Sequence, residues 1–158
     1  TSIAPLAPLG SLVELNAGGN ALTDASGLAG CVSLERLDLS NNQLTSVDTV
    51  KNLSKLTKLN FSHNAVASIP DLSSASSLQQ FYASYNAELA NISSLAGLQE
   101  LNYVDVDYTA VSDIECLTAC PALVQVNAFG SKVTSVKALT DAGVIVRYDP
   151  TGTATAGE

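Results

Sequence analysis

Leucine recurs in this chain at a fixed interval of 22 residues, at Leu12, Leu34, Leu56 and Leu78, and after one extra residue the register resumes at Leu101 and Leu123. A period of that size restricts the fold more than any other feature. One such unit cannot bury its apolar side alone, whereas a stack of units builds one continuous core. From each start the pattern L-x-x-L-x-L-x-x-N-x-L can be read. The clearest copy is Leu34, Leu37, Leu39, Asn42, Leu44, followed by Leu56, Leu59, Phe61, Asn64, Val66. The first copy is Leu12, Leu15, Ala17, Asn20, Leu22, and the fourth gives Leu78, Phe81, Ala83 and Asn86, with Glu88 breaking its last place. The fifth and sixth end in Thr109, Val111 and in Ser131, Val133.

The alternation at the start of each copy predicts a short strand. The rest of each copy carries apolar residues three apart, which suits a 3-10 or irregular turn. These sets are Val47, Val50, Leu53; Ile69, Leu72, Ala75; Ile92, Leu95, Leu98; Ile114, Leu117, Cys120; and Val136, Leu139, Ala142. The one-residue insertion is assigned to the set beginning at Ile92. Ile3, Leu6 and Leu9 fit the same spacing, so the chain is expected to open inside a repeat, as a truncated piece would. The Asn column, Asn20, Asn42, Asn64 and Asn86, stands where strand bends into turn. Inward backbone groups need partners there, and an amide both donates and accepts, so adjacent copies can form a ladder. Thr109 and Ser131 reach less far, and the ladder is expected to loosen at them.

The motif, its period and the T-S-[IV]-x-x-L-x-x-L return resemble the leucine-rich repeat family, and within it the internalin-like or SDS22-like class of 22-residue repeats. The resemblance covers about residues 1–148. It implies an α/β right-handed solenoid, or horseshoe, with a parallel sheet on the concave face and short turns on the convex one. It also implies a non-enzymatic protein-binding module, often a secreted or surface adhesion domain in bacteria. An intracellular regulatory scaffold and a carbohydrate-targeting domain of a larger enzyme stand as alternatives. The leucine-rich repeat domain is read as residues 1–150, closed by a strand through Val144, Val146 and Tyr148 and stopped by Pro150. Residues 151–158, TGTATAGE, are small and polar and read as a linker or tail.

Net charge is −8, with 46% hydrophobic residues. Nucleic acid calls for a basic stripe, so it is excluded as a partner. No apolar run is long enough to enter a membrane as a helix. The charges are segregated. Arg36, Lys51, Lys55 and Lys58 precede a stretch without Lys or Arg that runs to Lys132 and contains Glu88, Glu100, Asp105, Asp107, Asp113 and Glu115. Such a field favours a basic partner segment.

Outward strand places form columns across the concave face. They run Glu14, Arg36, Lys58, Gln80, Tyr103, Gln125; then Asn16, Asp38, Asn60, Tyr82, Asp105, Asn127; then Gly18, Ser40, Ser62, Ser84, Asp107, Phe129; and, at the bend, Gly19, Asn41, His63, Tyr85, Tyr108, Gly130. Tyr82, Tyr85, Tyr103, Tyr108 and Phe129 cluster here with Asp105 and Asp107. Tyrosine is a stiff, large contact with a polar tip, so the patch is the candidate binding site for a basic protein segment or a stacked sugar. The competing reading is that strand aromatics merely stabilise the sheet.

Catalytic and metal chemistry is thin. His63 has no Ser or Cys placed with an orienting third group. Cys31 and Cys120 hold inward places and read as small core residues, and Cys116 lacks a His to complete a metal pair. Asp105 and Asp107 alone offer too few oxygens for calcium. No cofactor, metal or catalytic residue is therefore assigned. Asn52 and Asn91 begin glycosylation sequons, which carry little weight on their own.

Overall fold

The computed structural model describes residues 2–150, so the expected tail at 151–158 lies outside the described residues. Seven parallel strands form one open sheet in chain order. They are β1 (Glu14–Asn16), β2 (Arg36–Asp38), β3 (Lys58–Asn60), β4 (Gln80–Tyr82), β5 (Tyr103–Asp105), β6 (Gln125–Ala128) and β7 (Ile145–Tyr148). Each strand pairs with the next copy at the same place of the repeat, Glu14 with Arg36, Arg36 with Lys58, and so on through Tyr103 with Gln125. The pairing is fixed because a slip of one residue would turn every leucine out to solvent. The closing strand is present, with Val126 opposite Val146 and Ala128 opposite Tyr148.

The core is a single column of stacked layers. Leu37, Leu59, Phe81, Val104 and Val126 line it from the strands, and Leu53, Leu72, Leu95 and Leu117 from the return turns, all essentially solvent-free. Phe61 and Phe81 meet edge to face at 5.5 Å. Each buried leucine contributes about 1.5–3 kcal/mol relative to exposure.

The return segments are 3-10 turns at Ala4–Leu6, Ser26–Leu28, Asp48–Asn52, Ser93–Leu95 and Glu115–Ala119. Each begins with a backbone N–H held by a side chain two residues earlier: Ser2, Asp24, Ser46, Asn91 and Asp113. The repeat between breaks this series for a clear reason. Its equivalent position is Pro70, which has no N–H to cap, and no 3-10 turn forms there; Asp71 instead accepts from Ser73 N–H at 2.9 Å.

Four sequence expectations need correction. The inserted residue sits directly after Asn86, not in the later turn. Leu89 takes the buried place and Glu88 is left exposed, with Leu89 N–H donating to Asn86 C=O at 3.0 Å. The last return segment is not 3-10 but a short α-helix, α1 (Lys137–Asp141). Its turn of 3.6 residues carries Ala142 to the surface, and Val144 fills the core instead, donating its N–H to Leu139 C=O. Leu9, at the opposite end, is 44% exposed rather than buried. Finally, β5 ends at Asp105, so Asp107 lies beyond the strand rather than on it.

At the bends the asparagines bridge neighbouring repeats. The Asn64 amide donates to Leu39, Phe61 and Ser62 carbonyls at 3.0, 2.9 and 3.3 Å and accepts from Leu44 N–H at 2.9 Å. Asn42 and Asn86 repeat that pattern, accepting from Leu22 and Val66 N–H. Asn20 donates to the Ala17 and Gly18 carbonyls of its own repeat. Thr109 and Ser131 likewise turn inward on themselves, donating to Val106 and Ala128 carbonyls.

Candidate binding face

Outward strand positions put four columns of side chains on the sheet face, and the two halves of that face differ. On β1 to β3 the charges are mixed, Glu14 and Asp38 beside Arg36 and Lys58, and mostly engaged. Arg36 pairs with Glu14 at 2.7 Å, and both line an open polar depression of about 200 Å³ with Asn16, Asp38 and Lys58. From β4 onward the face turns aromatic and acidic.

Two aromatic tiers cross this second half. In the first, the Tyr82 and Tyr103 rings meet at 5.0 Å, with Lys58 Nζ over the far side of Tyr82 at 5.2 Å from the ring centre. Tyr103 hydroxyl accepts from Asn127 Nδ2 at 2.9 Å, and Asn127 accepts in turn from Gln125. Burial and the nearby Asp105 carboxylate raise both tyrosine pKa values, so the hydroxyls stay protonated.

The second tier runs along the bend. His63 stacks on Tyr85 at 4.1 Å and 11°, Tyr85 on Tyr108 at 4.6 Å and 24°, and Phe129 meets Tyr108 edge-on at 5.8 Å. The backbone beneath explains its position. Asn41, His63, Tyr85 and Tyr108 all have φ between +53° and +56°, and Gly19 and Gly130 share the left-handed turn at +69° and +63°. In this conformation the N–H of each residue from Gly19 to Tyr108 still donates to the next repeat, as Tyr85 does to Asp107 C=O at 2.8 Å. The fold therefore demands a left-handed residue in every repeat. Glycine and asparagine supply it at little cost, while a bulkier side chain costs about 1–2 kcal/mol. Each ring contact returns about 0.5–1.5 kcal/mol. Strain and stacking thus nearly cancel, and the row has little net effect on stability.

Asp105 and Asp107 lie in the columns between the tiers. Asp105 accepts from Asp107 N–H at 3.1 Å, the turn that Asn16, Asp38 and Asn60 also make in their repeats. Asp107 accepts from Phe129 N–H at 2.6 Å. Burial, then repulsion from Asp105, raises Asp107 to about 6, and burial raises Asp105 as well. Among the described residues the ion pairs are Arg36–Glu14 and Lys137–Asp141, so neither carboxylate has a salt-bridge partner.

The structure thus gathers the sequence-assigned residues into a row of Tyr85, Tyr108 and Phe129, a pair of Tyr82 and Tyr103, and two carboxylates between them. It adds His63, which the sequence places in the column of Tyr85 and Tyr108 but does not mark as a contact residue. It also adds Lys58, whose contact with Tyr82 depends on reach between neighbouring strands. Cys31 and Cys120 are buried, with their thiols against Leu6 and Leu95 carbonyls. Burial raises the Cys116 thiol to about 11. Among the described residues no His, Cys, Asp and Glu group has metal-binding geometry, and no helix is long and apolar enough to cross a membrane.

Residues 10–52 and 32–74 match the family model for leucine-rich repeats, in two overlapping copies. No curated protein sequence is matched. Among solved structures, an internalin from Listeria monocytogenes superposes with a TM-score of 0.70 at 17% identity, over 89% of this chain and 55% of its own. An internalin C2 from the same organism gives 0.62 at 24% identity, over 94% of this chain and 56% of its own. A leucine-rich repeat protein of Leptospira interrogans gives 0.63 at 19%, over 92% and 44%. The chain therefore spans about half the length of these structures. At these identities the likeness concerns the fold. Repeat pattern, register and architecture agree: residues 10–74 match the leucine-rich repeat model, and the chain has the leucine-rich repeat solenoid fold seen in the internalin structures.

Proposed function

We propose that the chain is a non-enzymatic protein-binding module that engages its partner through the sheet face of the fourth to sixth repeats. One observation carries the reading: two unpaired, half-buried carboxylates, Asp105 and Asp107, stand between two aromatic tiers that the fold does not require. A solenoid of this kind needs inward leucines and a left-handed residue at each bend, and Gly19, Asn41 and Gly130 meet the second need without a ring. Tyr82, Tyr85, Tyr103, Tyr108 and Phe129 are the contact residues in this reading, with the carboxylates selecting a partner with a basic segment.

Ring geometry favours protein over sugar. A sugar stacks on a ring face, and the facing sides of His63, Tyr85 and Tyr108 are covered by one another. The internalin-like repeat class supports a place on the surface of a bacterium or outside it, in an adhesive role. The test uses the chain as bait in capture from host and bacterial extracellular fractions, beside its Tyr103→Ala, Tyr108→Ala variant. The reading expects a captured protein that the variant releases although both melt within a few degrees. A protein held equally by both refutes it.

A further inference from the structure

We infer that His63, Tyr85, Tyr108 and Phe129 form a docking strip along the bend of the sheet face for an extended segment of a partner protein, which crosses the strands and sets a Lys or Arg side chain on the Asp105–Asp107 pair. The inference rests on the sheet face being the binding surface and specifies how that surface is used.

Three observations carry it. The strip is continuous across four successive repeats, and three of its four rings occupy the one column where rings are conformationally disfavoured, with φ of +55° at His63, +56° at Tyr85 and +53° at Tyr108, Phe129 joining from the adjacent column. A residue kept against backbone preference marks a place where function sets the side chain. The strip is also accessible, Tyr85 being 39% and Phe129 45% exposed. With their faces stacked, the rings leave edges to solvent, Tyr85 and Phe129 most of all. Edges carry the positive side of the ring quadrupole, which suits the carbonyl oxygens of an extended backbone. Repeats lie about 4.8 Å apart, so an extended segment of a few residues spans the row.

Charge fixes the chemistry of the occupant. Asp105 and Asp107 lie beside the strip, partly buried and in no salt bridge, with the Asp105 charge repelling Asp107, so each has room for a cation in direct contact. A cationic side chain delivered there gains a charge-assisted hydrogen bond. Of the face's own cations, Arg147 acts on Asp107 and His63 on Asp105 from beyond ion-pair distance, and Lys58 is placed over Tyr82 in the other tier.

The test selects a phage library of random linear peptides on the immobilised chain and measures the recovered peptides, as synthetic probes, against variants. Tyr85→Gly and Tyr108→Gly are the apt substitutions, since glycine prefers the backbone conformation found there and the fold is retained. The inference predicts recovered sequences enriched in Lys and Arg. Their affinity falls about tenfold or more in each glycine variant and in Asp107→Asn, weakens with added salt, and is unaffected by Arg36→Ala. Peptides without basic enrichment, or no recovered peptide, overturn it. Peptides that lose binding only in Tyr82→Ala and Tyr103→Ala overturn the strip but leave the sheet face as the binding surface. Peptides indifferent to all of these variants overturn both.

Discussion

Replacing Asn64 by alanine removes four hydrogen bonds, and their geometry sets the size of the effect. The two carbonyls of Leu39 and Phe61 lose one donor each but keep another, from the Asn42 and Asn86 amides. The Leu44 N–H has no such reserve: Asn64 Oδ1 is its acceptor, and Leu44 is fully buried. An orphaned buried donor costs about 1–3 kcal/mol and each bond otherwise about 1 kcal/mol net. Asn64→Ala should therefore destabilise by about 4–6 kcal/mol, or about 10–20 °C in melting temperature for a chain of this size. Asn20→Ala provides the control. Its amide donates only to Ala17 and Gly18 carbonyls, and the side chain is exposed, so its loss should cost under about 1 kcal/mol. Asn64→Thr, which copies the arrangement at Thr109, should fall between. Urea unfolding followed by far-UV circular dichroism measures all three. Equal losses at Asn20 and Asn64 would refute the bridging account of the ladder.

Further outcomes follow from the same geometry. Leu59→Ala, at a fully buried place, should cost about 2–5 kcal/mol in the same assay. Tyr85→Gly should leave the melting temperature within a few degrees of the parent, because lost stacking and relieved strain offset one another; a large fall would make the row structural. Asp107 titrates near 6 when folded and near 3.9 when unfolded. Its raised pKa means that the folded state binds an extra proton between these values, so stability falls as pH rises from 4 through 6. Asp107→Asn should consequently melt higher than the parent at pH 7, with the difference vanishing near pH 4; an unchanged difference across that range would contradict the assignment. Replacing Pro70 by alanine restores an N–H at the place where Ser68 stands as Ser46 does in the preceding repeat, and should leave stability unchanged or raise it slightly in thermal melts.

How much of this was legible depended on which physical constraint each residue answers to. Strand positions and register follow from the 22-residue leucine spacing, because burial leaves no alternative pairing. Period alone is weaker at the ends of the described stack. Leu9 has the spacing of a core residue but is exposed, and Ala142 is carried outward by α1. The insertion was misplaced because the break at Glu88 reads as a lost apolar site, whereas the chain adds a residue and recovers the site with Leu89. The left-handed column was written in Gly19, Asn41 and Gly130, but His63, Tyr85 and Tyr108 obscured it, since rings seldom take that conformation. Ring stacking itself, and with it the place of His63, depends on side-chain angles that no spacing encodes.

The central claim is that the aromatic and acidic half of the sheet face is where a partner sits. Amide hydrogen exchange of the chain with and without a captured partner tests it most directly. The account predicts new protection confined to the strands and bends of the fourth to sixth repeats, residues 80–86, 103–109 and 125–131, and to the adjoining bend at His63. Protection centred on the 3-10 turns of the opposite side, with these segments unchanged, would contradict it.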